Sequence, residues 1–161
     1  LGLRKRLNYY DCGLKIDFDN EGLEKRNLFV LKYFMSSKKE MVRMWMDGAR
    51  RNANVASDSF KMKHYDWCLF FWHLVLEKTI KARIVQQSRE VPWVHNLIVL
   101  CEKAKINLIE EEKKKLAEIN TFNVEARYET IRYALYKKAT KEYAIKWVKI
   151  CKKFYKKFGE L

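Results

Sequence analysis

Residues 64–82 read HYDWCLFFWHLVLEKTIKA, a stretch of helix length in which positions 65–76 are apolar nearly all round. A helix without a polar face has no side to give to water, so it must be wrapped by other elements. A polar line nevertheless crosses this one. His73, Glu77 and Lys81 are spaced four residues apart, which stacks their side chains on a single face of a helix. Polar groups at such depth need a partner or a purpose. The run therefore predicts a buried central helix with a candidate site along one edge.

The rest of the chain supplies the wrapping. With one proline and five glycines in 161 residues there are few helix breakers, and the abundance of Lys, Glu, Leu and Ala favours helix throughout. From residue 38, Val42, Trp45, Met46, Ala49, Ala53, Ala56 and Phe60 recur at three- and four-residue steps, an amphipathic helix whose alanines let a neighbour come close. The connection at 60–63 is short enough to make this helix antiparallel to the central one. Turn signals at 88–92, with Pro92 pushing Val91 out of the helical region, end the central helix near Gln87. A third helix is expected from about His95, a fourth over 110–119, then a mixture of loop and broken helix over 121–138. Thr140 reads as the N-cap of a last helix, KEYAIKWVKICKKFYKKF, with Ala144, Trp147, Val148, Cys151, Phe154, Tyr155 and Phe158 on its inner stripe. The expectation is an all-α, up-and-down bundle of four or five antiparallel helices over residues 38–161. Its core combines Trp67, Phe70, Phe71 and Leu74 with Trp147, Cys151 and Phe154. Residues 1–37, interrupted by the acidic stretch DFDNEGLEK, read as a weakly structured arm with one short helix or strand near 23–35. The stretch before Met41, where a first helix of the bundle would open, is equally consistent with an extension, with residues that are not native to the protein and with a mis-set start.

Charge narrows the choice of partners. Lysine and arginine exceed the acidic residues by 14, and from Tyr136 onward nine lysines face only Glu142 and Glu160. Such a surface attracts phosphates or an acidic protein, although Lys146, Lys149, Lys152, Lys153, Lys156 and Lys157 also suit an ordinary solvated helix face. Cys12, Cys68, Cys101 and Cys151 show no C-x-x-C spacing, and the last three fall among apolar residues, where free cysteine behaves as a small hydrophobe. No apolar run reaches 18 residues and the first residues lack a signal-peptide core, so a cytoplasmic protein without membrane contact is expected. A glycine-rich phosphate loop, an H-E-x-x-H motif and a zinc-spaced cysteine cluster are all missing, so neither metal nor cofactor is anticipated.

Three segments, FFWHLVLEKTIKA in the central helix, VPWVHNL at 91–97 and FNVEARY at 122–128, together resemble a HEPN domain, with the likeness extending over about 38–158. HEPN domains are small helical modules that occur beside minimal nucleotidyltransferases and, in toxin–antitoxin-like pairs, as ribonucleases. The resemblance implies a homodimer whose cleft takes a nucleotide or RNA, with a minimal nucleotidyltransferase as partner. It places His73, Glu77, Lys78, Lys81, His95, Asn123 and Arg127 along that cleft as nucleotide-binding residues. Each has a plainer reading: Glu77 and Lys81 as an ordinary helix-stabilising pair, His95 as a helix-end residue, Arg127 as one half of a local ion pair.

The toxin-type members resemble one another in an Arg, four to six residues, then His motif near the start of the last core helix, where arginine steadies phosphate charge and histidine moves protons. Here Arg89 and His95 have the spacing but span the Pro92 turn. At the corresponding place stand Arg127 and Arg132, and no histidine follows His95. The family-like aspartate or proline after ARY is replaced by Glu129 and Thr130. The sequence thus points to a noncatalytic binding module. The alternatives are a metal-independent ribonuclease using His73 or His95 with Arg127, and a purely structural helical partner protein.

Overall fold

The computed structural model describes the backbone of residues 23–127 and 129–160, and the side chains of residues 37–123 and 133–160. Within them the chain forms six helices, α1 (Leu23–Lys61), α2 (Tyr65–Gln86), α3 (Leu97–Lys103), α4 (Glu110–Arg127), α5 (Glu129–Lys138) and α6 (Lys141–Gly159). The fold is the expected all-α bundle, with two more short helices than a plain four-helix layout. The element expected over 23–35 is the beginning of the 39-residue α1 rather than a separate short piece. The first 22 residues of the expected weakly structured arm lie outside the described residues.

α2 is the axis of the molecule. Leu69, Leu76, Ile80 and Ile84 are fully enclosed, and α1, α3, α4 and α6 each pack against it. Three helices end in a left-handed residue that is not glycine. Lys63, Ser88 and Lys105 adopt left-handed φ values of 63°, 57° and 51°. Past them the amide N–H groups of His64, Arg89 and Ile106 donate to the carbonyls of Ser59, Ile84 and Cys101, five residues back. This is the Schellman arrangement that collects the orphan carbonyls of a last turn. Helix starts follow the expected chemistry more closely. Thr140 accepts from the Tyr143 amide at 3.2 Å, and Asn96 accepts from Ile98 and Val99 at 3.0 and 3.3 Å.

Two boundaries differ from expectation. α4 does not stop near Ile119 but runs on through TFNVEAR, because Phe122 is fully buried against Trp147 and Tyr143 of α6, with ring centroids 5.8 and 6.2 Å away. Tertiary packing here overrides the weak helix propensity of Thr, Asn and Val. α3 begins at Leu97, so Asn96 is its cap and His95 stands outside it.

The core also differs in membership. Trp147, Cys151 and Phe154 are buried as expected, whereas Trp67, Phe70, Phe71 and Leu74 are only half-buried. Trp67, Phe70 and Phe71 pack on one another, with centroids 5.5 to 6.2 Å apart. The deepest aromatic from α2 is instead Trp72, 6.4 Å from Tyr155 of α6. Cys68, Cys101 and Cys151 are free and enclosed, and burial raises the Cys68 and Cys101 thiols to about 12, so they are neutral packing groups.

Candidate functional site

The polar line on α2 is a closed internal cluster. The side chains of His73, Glu77 and Lys81 keep only 1, 7 and 8% of their surface exposed. Lys81 Nζ donates to Glu77 Oε1 at 2.8 Å and lies 5.4 Å from the centre of the Trp45 ring on α1. The four-residue spacing brings this pair within reach once α2 forms, and the Trp45 face gives the ammonium a second favourable surface. A lone buried charge would be far more costly, so the two exist together.

His95 reaches the same carboxylate from the segment between α2 and α3, its Nδ1 3.0 Å from Glu77 Oε1. With Glu77 ionised, Nδ1 is the nitrogen that donates, which fixes the ring and leaves Nε2 outside that bond. Unlike the α2 residues, His95 keeps 48% of its side chain exposed. It is held in place by the segment's own anchorage. Asn120 Oδ1 on α4 accepts from the Leu97 amide at 2.9 Å, and Asn120 Nδ2 donates to Asn96 Oδ1 at 3.1 Å.

His73 is unlike either neighbour. It is fully enclosed, Nδ1 lies 3.9 Å from Glu77 Oε2, and neither ring nitrogen makes a well-formed hydrogen bond among the described residues. Burial lowers its pKa to about 4, opposed in part by the Glu77 charge and by polar groups of His95 and Asn120 near the ring. At neutral pH the ring is therefore uncharged and out of reach of solvent. Glu77 Oε2 is likewise without a hydrogen bond among the described residues, so two enclosed polar groups face each other across a gap too long for a direct bond.

The remaining candidates are divided. Lys78 turns to α1, where a methyl added at Gly48 would meet its Cδ at 3.2 Å; burial first, then Arg51, lowers its pKa. It does not join the hydrogen-bonded cluster. Asn123 is buried one turn beyond Asn120 on α4. Arg127 ends α4 one further turn on, but its side chain, like that of Arg132, lies outside the described residues. Arg89, the arginine with motif-like spacing to His95, donates from Nη1 to the Lys103 carbonyl at 2.8 Å and so fastens its segment to the end of α3. Sequence reasoning overlooked Asn120 and Trp45. The anchor on α4 and the ring beneath Lys81 became evident only once α1 and α4 were seen beside α2.

Among the described residues no helix is long and apolar enough to cross a membrane, and no three His, Cys, Asp or Glu side chains converge as a metal would require. The chain is similar in fold to the crystal structure of TT1696 from Thermus thermophilus, with 20% identity and a TM-score of 0.63 over 74% of this chain and 95% of that one. A comparison with curated proteins gives no match. The HEPN domain family matches residues 42–161, which takes in α2, the His95 segment and every helix after them. The helical bundle and this match, covering most of the sequence, show that the chain belongs to the HEPN domain family.

Proposed function

We propose that the chain is a noncatalytic HEPN module that binds a nucleotide or nucleic acid at the His95 edge of the α2 cluster. In this reading it works as a homodimer beside a separately encoded minimal nucleotidyltransferase. The supporting observation is the division of labour between His95 and its neighbours. One half-exposed imidazole is oriented by a buried carboxylate, with Asn123 and Arg127 on the next turns of α4. His73, Glu77 and Lys81 then support the site from beneath rather than touching the ligand. Glu77 and Lys81 neutralise each other, so attraction for phosphate comes from Arg127 and from the net charge of +14.

Calorimetric titration of ATP and of a short RNA into wild type, Arg127→Ala and His95→Ala tests the proposal. Affinity should fall as salt is added, because phosphate contacts are carried by charge. Arg127→Ala should weaken binding by about 1.5–3 kcal/mol through loss of a charge-assisted contact, and His95→Ala by about 1 kcal/mol. Three identical titrations, or none with measurable heat, would dismiss the site.

One observation favours a second reading. A carboxylate holding Nδ1 of an exposed histidine is the way a general base is oriented, so His95 is the proton carrier if the protein cleaves RNA. His73 is too deeply buried for that role. Incubation with mixed cellular RNA separates the two: the binding module retards RNA without cutting it, whereas cleavage abolished by His95→Ala establishes a ribonuclease.

A further inference from the structure

α1 and α6 both lie along α2, but they do not stay together. Near one end the three helices converge, since a methyl added at Gly159 of α6 would lie 4.0 Å from Met46 of α1 and 3.9 Å from Thr79 of α2. Toward the other end α1 and α6 part and leave an open groove of about 520 Å³. Its floor is Trp72 of α2. Phe60 forms the α1 wall, and Ile145 and Val148 form the α6 wall. Lys61, paired with Asp58 at 3.0 Å, stands on one lip, with Lys149 and Lys152 on the other.

Ile145 is the residue the bundle does not explain. It is 50% exposed on the outer arc of α6, where lysines hold most positions, and it continues the apolar wall begun by Val148. A carbon-lined trough between two splayed helices, with two lysines along its α6 rim, has the form that receives one further helix laid with its apolar side down. We propose that this groove docks an acidic amphipathic helix of a partner protein, with apolar anchors at i, i+3 or i+4 and i+7 on Ile145, Val148, Phe60 and Trp72. Glutamates or aspartates flanking those anchors meet Lys149 and Lys152, since Lys61 already has Asp58 as its partner. A second copy of this chain does not supply such a helix from its described residues. Their densest acidic run, Glu110, Glu111 and Glu112, is already paired with Lys113, Lys115 and Lys157. The groove lies at the α1–α6 side of α2 and is independent of the His95 site.

The probe is a fluorescein-labelled 16-residue helical peptide with leucines at the anchor spacing and glutamates on both flanks, titrated by anisotropy into the full chain. Its counterpart with lysines in place of glutamates is the charge control. Wild type and Lys105→Glu, a lysine in the α3–α4 connection, should bind the acidic peptide alike. Ile145→Asp and the pair Lys149→Glu with Lys152→Glu should each weaken binding about tenfold or more, as removal of central anchors does. Circular dichroism melts confirm that the variants, all at exposed positions, stay folded. The proposal is overturned if the acidic peptide does not bind, if it binds Ile145→Asp as well as wild type, or if the lysine peptide binds equally. It is also overturned if a short RNA displaces the peptide and itself fails to bind Ile145→Asp. Sedimentation of the chain alone gives the last outcome against it: a dimer that becomes a monomer on Ile145→Asp would make the groove a self-interface.

Discussion

Glu77 joins two residues that differ in exposure and charge, and that position makes it the most consequential side chain of the cluster. Glu77→Ala leaves the Lys81 ammonium enclosed without its carboxylate. The expected loss is about 3–5 kcal/mol in urea denaturation, as for other broken buried pairs. A loss under about 1 kcal/mol would show that Lys81 swings out to water. His73 gives the pH dependence. In the unfolded chain its imidazole protonates near pH 6.5, whereas in the folded chain it stays neutral until about pH 4. Acid thus loads the unfolded state first, so its contribution is intact above pH 6.5 and is lost as pH falls from there toward 4. The slope is about 1.4 kcal/mol per pH unit and the total about 3 kcal/mol. Replacing the ring by His73→Asn should flatten the stability profile between pH 6.5 and 4. An unchanged slope would assign the acid sensitivity to other groups.

At the scale of elements, α6 offers the cleanest tests. Thr140→Ala removes the acceptor for the Tyr143 amide and should cost about 1 kcal/mol. Trp147→Ala empties the site where α4 and α6 meet through Phe122 and should cost about 3–5 kcal/mol in chemical denaturation. The non-glycine helix ends predict the opposite sign. Lys105 sits exposed in a left-handed conformation, so Lys105→Gly relieves backbone crowding and should raise stability by about 0.5–1 kcal/mol in the same assay, after the extra flexibility of glycine in the unfolded chain. These ends were placed in the sequence only approximately, because the residues that adopt the left-handed turn carry no glycine to mark it. α4 shows a further limit. Thr121, Asn123 and Val124 argue for a break that burial of Phe122 cancels.

For the whole molecule, the proposed homodimer predicts a particle of twice 19.5 kDa by light scattering at micromolar concentration. A monomer under those conditions removes that part of the proposal. The distribution of charge makes a related statement about solution behaviour. α6 presents a lysine-rich arc, while Lys157 of that helix pairs with Glu112 at the start of α4 at 2.6 Å, so added salt weakens surface steering and that exposed pair more than the enclosed Glu77–Lys81 pair.

Much of this architecture was determined by local pattern. The length of the unbroken apolar run defined α2, the period of apolar residues defined α6, the short 60–63 connection made α1 antiparallel to α2, and the i, i+4 spacing placed His73, Glu77 and Lys81 on one face before any neighbour was known. Period and spacing are properties of the helix itself, so they survive translation into three dimensions. Which apolar residues are fully buried, and which polar ones face water, is a property of what packs on top. Trp67, Phe70 and Phe71 were equal to Trp72 in hydrophobicity, yet only Trp72 is fully covered. His73 and His95 were equal candidates, yet α4 and the segment before α3 enclose the first and leave the second half-exposed on Glu77. Contacts between residues 18 or more positions apart decide such matters, and no local pattern carries them.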